Sequence, residues 1–565
     1  MAGADRRRAP RAACLAAGAA WLLTLLWASG PADVRAQTPT QVGAGDRPGP
    51  VFQTSHDCVA CHNGLMTPTG EDVSIGTSWR ASMMAQSARD PYWQGAVRRE
   101  TIDHPTHVAA IEDECSICHM PMTTAPARAR GEHGEIFAHL PIGADDSEVG
   151  RLAADGVSCT VCHQITGEGF GSRESFTGGY VLSVVPPGSD QRQPPPQPMF
   201  GPFEVKPGHA HLMRSSTGVT PTEGAHVRQS ELCATCHTLF TQALDAQGAV
   251  VGTLPEQVPY LEWQHSAFRD EHSCQACHMP AVDVPTPITS VLGEPREGLG
   301  RHTFRGGNFF MLRMLNRYRA DLGVGVPPAD LEASARATER QLQTETATVA
   351  ITETSRTGAD VAFTVSVTSQ VGHKLPTGYP SRRVWLHVTV LDEARRTVFE
   401  SGAVSPDGAI RGNDNDADGW SVEPHYQEIR SPDEVQIYES VMTDAAGAVT
   451  TGLLSGVAYV KDNRLLPRGF DKTVASDDIA VRGRAATDPD FLGSGDRVRY
   501  VVNTPTAGAL TVEAELRYQP IGYRWARNLG AYDAMETQRF VSYYDAMAAG
   551  SSLVLARASA SVEER

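Results

Sequence analysis

Ten of the chain's eleven cysteines fall into five copies of one pentapeptide: Cys58-Val59-Ala60-Cys61-His62, Cys115-Ser116-Ile117-Cys118-His119, Cys159-Thr160-Val161-Cys162-His163, Cys233-Ala234-Thr235-Cys236-His237 and Cys274-Gln275-Ala276-Cys277-His278. No other cysteine lies beyond residue 36. Such a repeat fixes five points at which the fold must serve a shared chemistry.

C-x-x-C-H is the attachment signature of c-type haem. Two thiols three positions apart can form thioethers with the two vinyl groups on neighbouring edges of a porphyrin, and the adjacent His then reaches the iron. The competing chemistries fit less well. Zinc sites would need the motifs to pair, and five is odd. A redox dithiol has no use for a following His in every copy. A disulfide within each motif would close too short a ring to contribute much loop entropy. The sequence therefore predicts five haem c groups on Cys58, Cys61, Cys115, Cys118, Cys159, Cys162, Cys233, Cys236, Cys274 and Cys277, with His62, His119, His163, His237 and His278 as proximal iron ligands.

All five motifs lie between residues 58 and 278, little polypeptide for five large flat apolar groups. Aliphatic periodicity is weak there and Pro/Gly-rich links abound, so short motif-bearing helices in long irregular loops are expected, with closely spaced haems supplying much of the core. With 19 His in the chain, spare imidazoles outnumber irons. His226, His265 and His302 sit beside aromatic or apolar segments, and His373 stands in a Gly-His-Lys-Leu-Pro turn about a hundred residues past the last motif; these four are the candidate distal ligands. Met83 and Met84 are further axial candidates, although a Met pair serves equally as core filler.

The N-terminus reads as an export signal. Arg6, Arg7, Arg8 and Arg11 precede an apolar run over 14–27, and Val34-Arg35-Ala36 suits cleavage before Gln37. An uncleaved anchor is the alternative; no later stretch approaches the about eighteen apolar residues of a membrane span. A periplasmic or cell-surface location is therefore expected. With 66 Asp and Glu against 49 Lys and Arg, net charge −17, a general nucleic-acid or anionic-lipid binder is disfavoured.

Residues 308–345 read as a helical connector, with Phe309, Leu312, Leu315 and Tyr318 near a 3–4 period. From 346 to 520 the period changes to two: Val361, Phe363, Val365 and Val367 alternate with smaller or polar residues, as do Val384, Leu386, Val388 and Val390, and further strands are expected over 435–441, 498–502 and 510–516. This pattern predicts an antiparallel sandwich-like domain. Residues 521–565 are expected as a short C-terminal helical segment, carried by Phe540, Tyr543, Tyr544 and Met547 within a helical pattern over 536–556. The expected organisation is thus a signal peptide (1–36), a mostly helical and irregular haem domain (37–307), the connector, the β domain and the helical tail.

Asp414-Asn415-Asp416-Ala417-Asp418-Gly419 matches the first half of a calcium loop. Asp414, Asp416 and Asp418 are the candidate calcium ligands. The twelfth position is His425 rather than Glu, and a solvated acidic turn is the alternative reading.

From the first motif onward, over residues 50–555, the chain resembles multihaem c-type cytochromes that carry a C-terminal β domain. The likeness rests on the five motifs, on Leu232-Cys233-Ala234-Thr235-Cys236-His237, on Ser273-Cys274-Gln275-Ala276-Cys277-His278-Met279-Pro280, on Gly372-His373-Lys374-Leu375-Pro376-Thr377-Gly378, and on a phrase over 461–472 with no evident role. The resemblance implies electron transfer through covalently bound haems between donor and acceptor proteins. Multihaem nitrite reductases of similar layout place C-x-x-C-K at the catalytic haem; this chain has His at all five positions. Two alternatives to a simple relay remain: an oxidoreductase with one open iron acting on a small nitrogen or sulfur compound, and a structural conduit in which protomers stack so that haems continue across interfaces.

Overall fold

The computed structural model describes residues 52–183, 197–245, 247–504 and 508–563. The expected signal peptide lies outside them.

The motif-bearing part is built from short helices joined by loops, as its weak periodicity predicts. Ser55–Val59, Val108–His119, Cys159–Cys162, Ser230–His237 and Cys274–His278 each carry all or part of one motif. Small two-stranded sheets stand between them, such as Leu239–Leu244 against Val250–Gln257. The longest helix before the third motif, Pro91–Asp103, begins at an N-cap: the Asp90 carboxylate accepts from the amides of Tyr92 and Trp93 at 2.9 and 3.2 Å, and Pro91 at N1 needs no donor.

The expected helical connector is two helices, Phe309–Arg317 and Pro328–Glu345, interrupted at 318–327. Phe309, Phe310, Met311, Leu312, Met314 and Leu315 are all buried, so the first is a core helix.

The alternating segments form two sheets. One runs in the order Thr397–Ser401, Arg383–Leu391, Leu510–Gln519, Leu553–Val562, with Ile437–Tyr438 also paired to Arg383–Leu391. The other runs Glu428–Ile429, Gly495–Asn503, Asp360–Ser369, Ala347–Thr357. All pairs are antiparallel except Glu428–Ile429 with Gly495–Asn503. Burial alternates strictly along Leu510–Leu516, and the inward residues of both sheets, Val361, Phe363, Val365, Val498 and Tyr500 with Val384, Leu386, Val388, Val512 and Leu516, join one hydrophobic core. Each such side chain contributes about 1.5–3 kcal/mol on leaving water.

Two expectations are corrected. The strand expected over 435–441 is two: Ile437–Tyr438 stays on the large sheet, while Ser440–Thr443 pairs with Val449–Thr450 and Ala458–Asp462. The C-terminal segment is not helical throughout. Its helix Met535–Asp545 buries Phe540, Tyr543 and Tyr544, but Leu553–Val562 is a strand in register with Leu510–Gln519. The aromatic 3–4 spacing ends at Tyr544, and the Ala/Ser-rich tail is half-exposed edge strand with little hydrophobic signal of its own.

Candidate functional site

All five motifs line one connected, mostly apolar cavity of about 1240 Å³. Each C-x-x-C spacing puts its two thiols about one helical turn apart, on the same side. The motifs also abut. The Cys58 and Cys159 thiols lie close enough to perturb one another's ionisation, as do Cys118 and Cys236, and Cys233 and Cys274. The first motif thus meets the third, and the fourth meets both the second and the fifth, so of these three contacts only the fourth with the fifth joins motifs consecutive in sequence. Among the described cysteines only Cys277 is exposed.

Four of the five motif imidazoles share one device. Nδ1 of His62 lies 2.7 Å from the carbonyl of Ile288, that of His119 3.3 Å from Ser87, that of His163 2.5 Å from Phe200, and that of His278 against Arg305. A carbonyl only accepts, so Nδ1 carries the hydrogen and Nε2 keeps its lone pair. That tautomer is the one a metal needs, and the Nδ1–H bond raises the basicity of the ligating nitrogen. His237 makes no such bond. Burial holds His119 and His237 at about 4, so both are neutral at physiological pH. The ring of Trp93 stacks on that of His119 with centroids 4.4 Å apart.

Two of the candidate distal residues face motif imidazoles. His302 stands opposite His163, and His373 opposite His278; in both cases ring centroids are 6.3 Å apart and planes 20° from parallel. Both give Nδ1–H to a carbonyl, Gly300 and Lys374, each at 2.9 Å. Burial holds both at about 4. His226 and His265 are set differently. Their Nε2 atoms lie 2.9 Å from the carbonyls of Ile165 and Asp471, so Nε2 is a donor with no lone pair for iron, and their rings pack edge-on against Phe200 and Phe470. Met83 and Met84 both line the cavity.

The three candidate calcium ligands do not converge. Residues Asp414–Ala417 form a short helix. Asp416 is buried, pairs with the Arg383 guanidinium at 2.8 Å and accepts from the amide of Ile410, while Asp418 accepts from Trp420 N and Ser421 Oγ in its own turn. An arginine supplies the positive charge that a cation would bring. His425, at the loop's twelfth position, belongs to a buried cluster instead: its Nε2 is 2.9 Å from Asp488, and Gln436 bridges it to Asp496. Every carboxylate there is met by protein donors, since Asp496 also accepts from Tyr438 OH and Arg497 N, and Asp488 from Asp490 N.

Sequence reasoning missed a buried charge cluster behind His373. Lys374 pairs with Asp462 at 2.7 Å, Arg464 with Asp462 at 2.7 Å and with Glu262 at 2.9 Å. The signal was present in two phrases, Gly372–Gly378 and 461–472, without anything in either to show that they meet.

The cavity fits covalent haem: paired thiols on its wall, imidazoles with Nε2 free, and a mostly apolar lining. No family model and no curated protein matches the chain. Among solved structures it is similar to a penta-heme cytochrome c552 from Thermochromatium tepidum, at 15% identity and a TM-score of 0.50 over 91% of this chain and 100% of that one. Among the described residues no helix is long and apolar enough to cross a membrane.

Proposed function

We propose that the chain is an exported pentahaem c-type cytochrome that relays electrons between a donor and an acceptor protein. One observation carries the reading: five C-x-x-C-H motifs scattered over the sequence line a single cavity, four of them with the proximal imidazole set in the iron-binding tautomer. Haem c supplies a one-electron iron couple when bound. The chain's residues do the rest. Each Cys pair tethers one group, and His62, His119, His163, His237 and His278 bind the irons from one face. His302 and His373 bind the third and fifth from the other. A metal–imidazole bond of about 2.0 Å on either side, with about 1.1 Å from each nitrogen to its ring centre, requires centroids about 6.2 Å apart; both facing pairs stand at 6.3 Å. The contacts between motifs make the fourth the junction of the relay, and the exposed fifth is the port nearest a partner.

A second reading has an observation of its own. Among the described residues, no imidazole faces His62, His119 or His237 as His302 and His373 face their partners, which supports an open iron able to bind a small molecule.

The test is a pyridine haemochrome assay with intact mass on protein matured in a host competent for cytochrome c assembly. Five haems per chain are expected; colourless protein or a count far below five overturns the proposal. Carbon monoxide uptake by the reduced protein then decides between closed and open irons.

A further inference from the structure

We infer that Glu262, Lys374, Asp462 and Arg464 form a positioning cluster that presents His373 to the iron of the fifth motif. The inference rests on the reading of His373 as a distal ligand and assigns a role to the phrase over 461–472.

His373 stands in a loop without regular secondary structure, and a loop imidazole left to itself samples many positions. Residues on both sides of it are tied down. Before it, the Gly372 carbonyl accepts from Ser266 Oγ at 3.1 Å, and Gly372 packs so closely that an added Cβ would fall 3.0 Å from Phe268. After it, the Lys374 amide donates to Glu262 at 3.1 Å, and Thr377 Oγ1 donates to the same oxygen. One step further, Leu375 and Leu465 exchange both backbone hydrogen bonds, at 2.8 and 2.9 Å.

Glu262 and Lys374 are fully buried, and Asp462 and Arg464 nearly so. Ionised groups persist in such surroundings only when paired and hydrogen-bonded. The cluster meets that condition. Arg464 holds Asp462 with two parallel bonds, from Nε at 2.9 Å and Nη2 at 2.7 Å, and turns Nη1 to Glu262. Lys374 Nζ closes the set on Asp462. Two positive and two negative charges leave it neutral. The members come from three separate pieces of the structure: Glu262 from the helix Pro259–Gln264 between the fourth and fifth motifs, Lys374 from the ligand's own loop, and Asp462 and Arg464 from the C-terminal end of the strand Ala458–Asp462 and the turn beyond it. Because the bonds converge on the residue next to His373, they set the ligand's place relative to the helix leading into its haem. None of the four touches the iron; they act through His373.

The experiment compares H373A with E262Q, K374M and T377V, each prepared as the full chain with five haems verified. K374M keeps the Arg464–Asp462 fork, and T377V removes one hydrogen bond only, so at least one variant retains the fold. Spin state by electron paramagnetic resonance and carbon monoxide stoichiometry are read. H373A is expected to convert one haem in five to high spin and to take up one more carbon monoxide. E262Q and K374M are expected to do the same in part, and free imidazole to restore low spin in them as in H373A. The inference is overturned if H373A shows the change while E262Q, K374M and T377V all keep the parent's spin state and stoichiometry. If H373A itself shows no change, the ligand assignment falls, and the positioning role falls with it.

Discussion

His163 and His302 face one another with ring centroids 6.3 Å apart and planes 20° from parallel, each with its Nδ1–H committed to a backbone carbonyl. Two imidazoles meeting end-on at that centroid separation would hold one metal ion between them. H302A should therefore free one coordination position without disturbing the thioethers. The expected result is an unchanged haemochrome count, one additional carbon monoxide bound per chain, and a high-spin ferric signal amounting to one haem. A variant that stays fully low-spin removes His302 from the ligand set.

A second prediction concerns pH. Glu256 lines the cavity, and burial pushes its carboxyl up to about 7, reinforced by Glu114 and Glu100 and opposed by the Thr241 hydroxyl, which donates to it at 2.5 Å. The folded state therefore holds a proton that the unfolded chain, titrating near 4.5, has already released. Stability falls as pH rises between those values, and above pH 7 the buried carboxylate costs about 3 kcal/mol relative to its neutral form. E256Q keeps the shape and an acceptor for Thr241 but cannot ionise. Thermal unfolding by circular dichroism should show the variant several degrees more stable than the parent at pH 8 and little different at pH 4.5. Equal melting temperatures at both pH values would mean that the group is not held neutral.

The acidic loop yields the third. Asp416 and Arg383 are both almost fully buried, and Arg383 is further held by Gln519 and the Gly408 carbonyl. Removing one partner of a buried pair strands the other, at a cost of about 3–5 kcal/mol. D416A should lose that much in urea unfolding. D418A, at an exposed turn, should lose no more than about 1 kcal/mol. Millimolar calcium should leave the melting temperature of the parent unchanged; an upward shift that D416A abolishes would revive the metal reading.

How much of this was legible in the sequence depends on how local the signal was. The five pentapeptides stand out because residue type and spacing repeat within one helical turn. Strands such as Asp360–Ser369 and Arg383–Leu391 were legible through their period of two, since one face of each meets the core. Distal ligation was harder. Nothing in the sequence around His302 and His226 separates them; in the structure it is which ring nitrogen meets a carbonyl, Nδ1 in one and Nε2 in the other. The acidic loop is a related case: the spacing of Asp414, Asp416 and Asp418 carries no record of Arg383, which arrives from another strand. The Lys374–Asp462 pair was illegible because each half is an ordinary charge until the backbone brings Leu375 beside Leu465.

The C-terminal strand gives the last prediction. Leu553–Val562 pairs with Leu510–Gln519 from Val562 opposite Leu510 to Leu553 opposite Tyr518, covers the sheet's edge and buries Leu555 and Val562. Arg557 adds an ion pair with Glu515 at 2.8 Å. Ending the chain at Ser552 would strip this strand away and leave Leu510–Gln519, which alternates between buried and half-buried positions over Leu510–Leu516, as a long unpaired edge. Such edges recruit other chains. The shortened protein should therefore be recovered mainly as aggregate, whereas a chain ending at Glu563 should match the parent by size-exclusion chromatography. L555A, which keeps the backbone pairing and deletes one buried side chain, should lose about 2–5 kcal/mol in urea unfolding. If the segment were a peripheral helix, as its composition reads, both changes would be tolerated; soluble, monomeric protein from the shortened chain would show that the sheet does not depend on this strand.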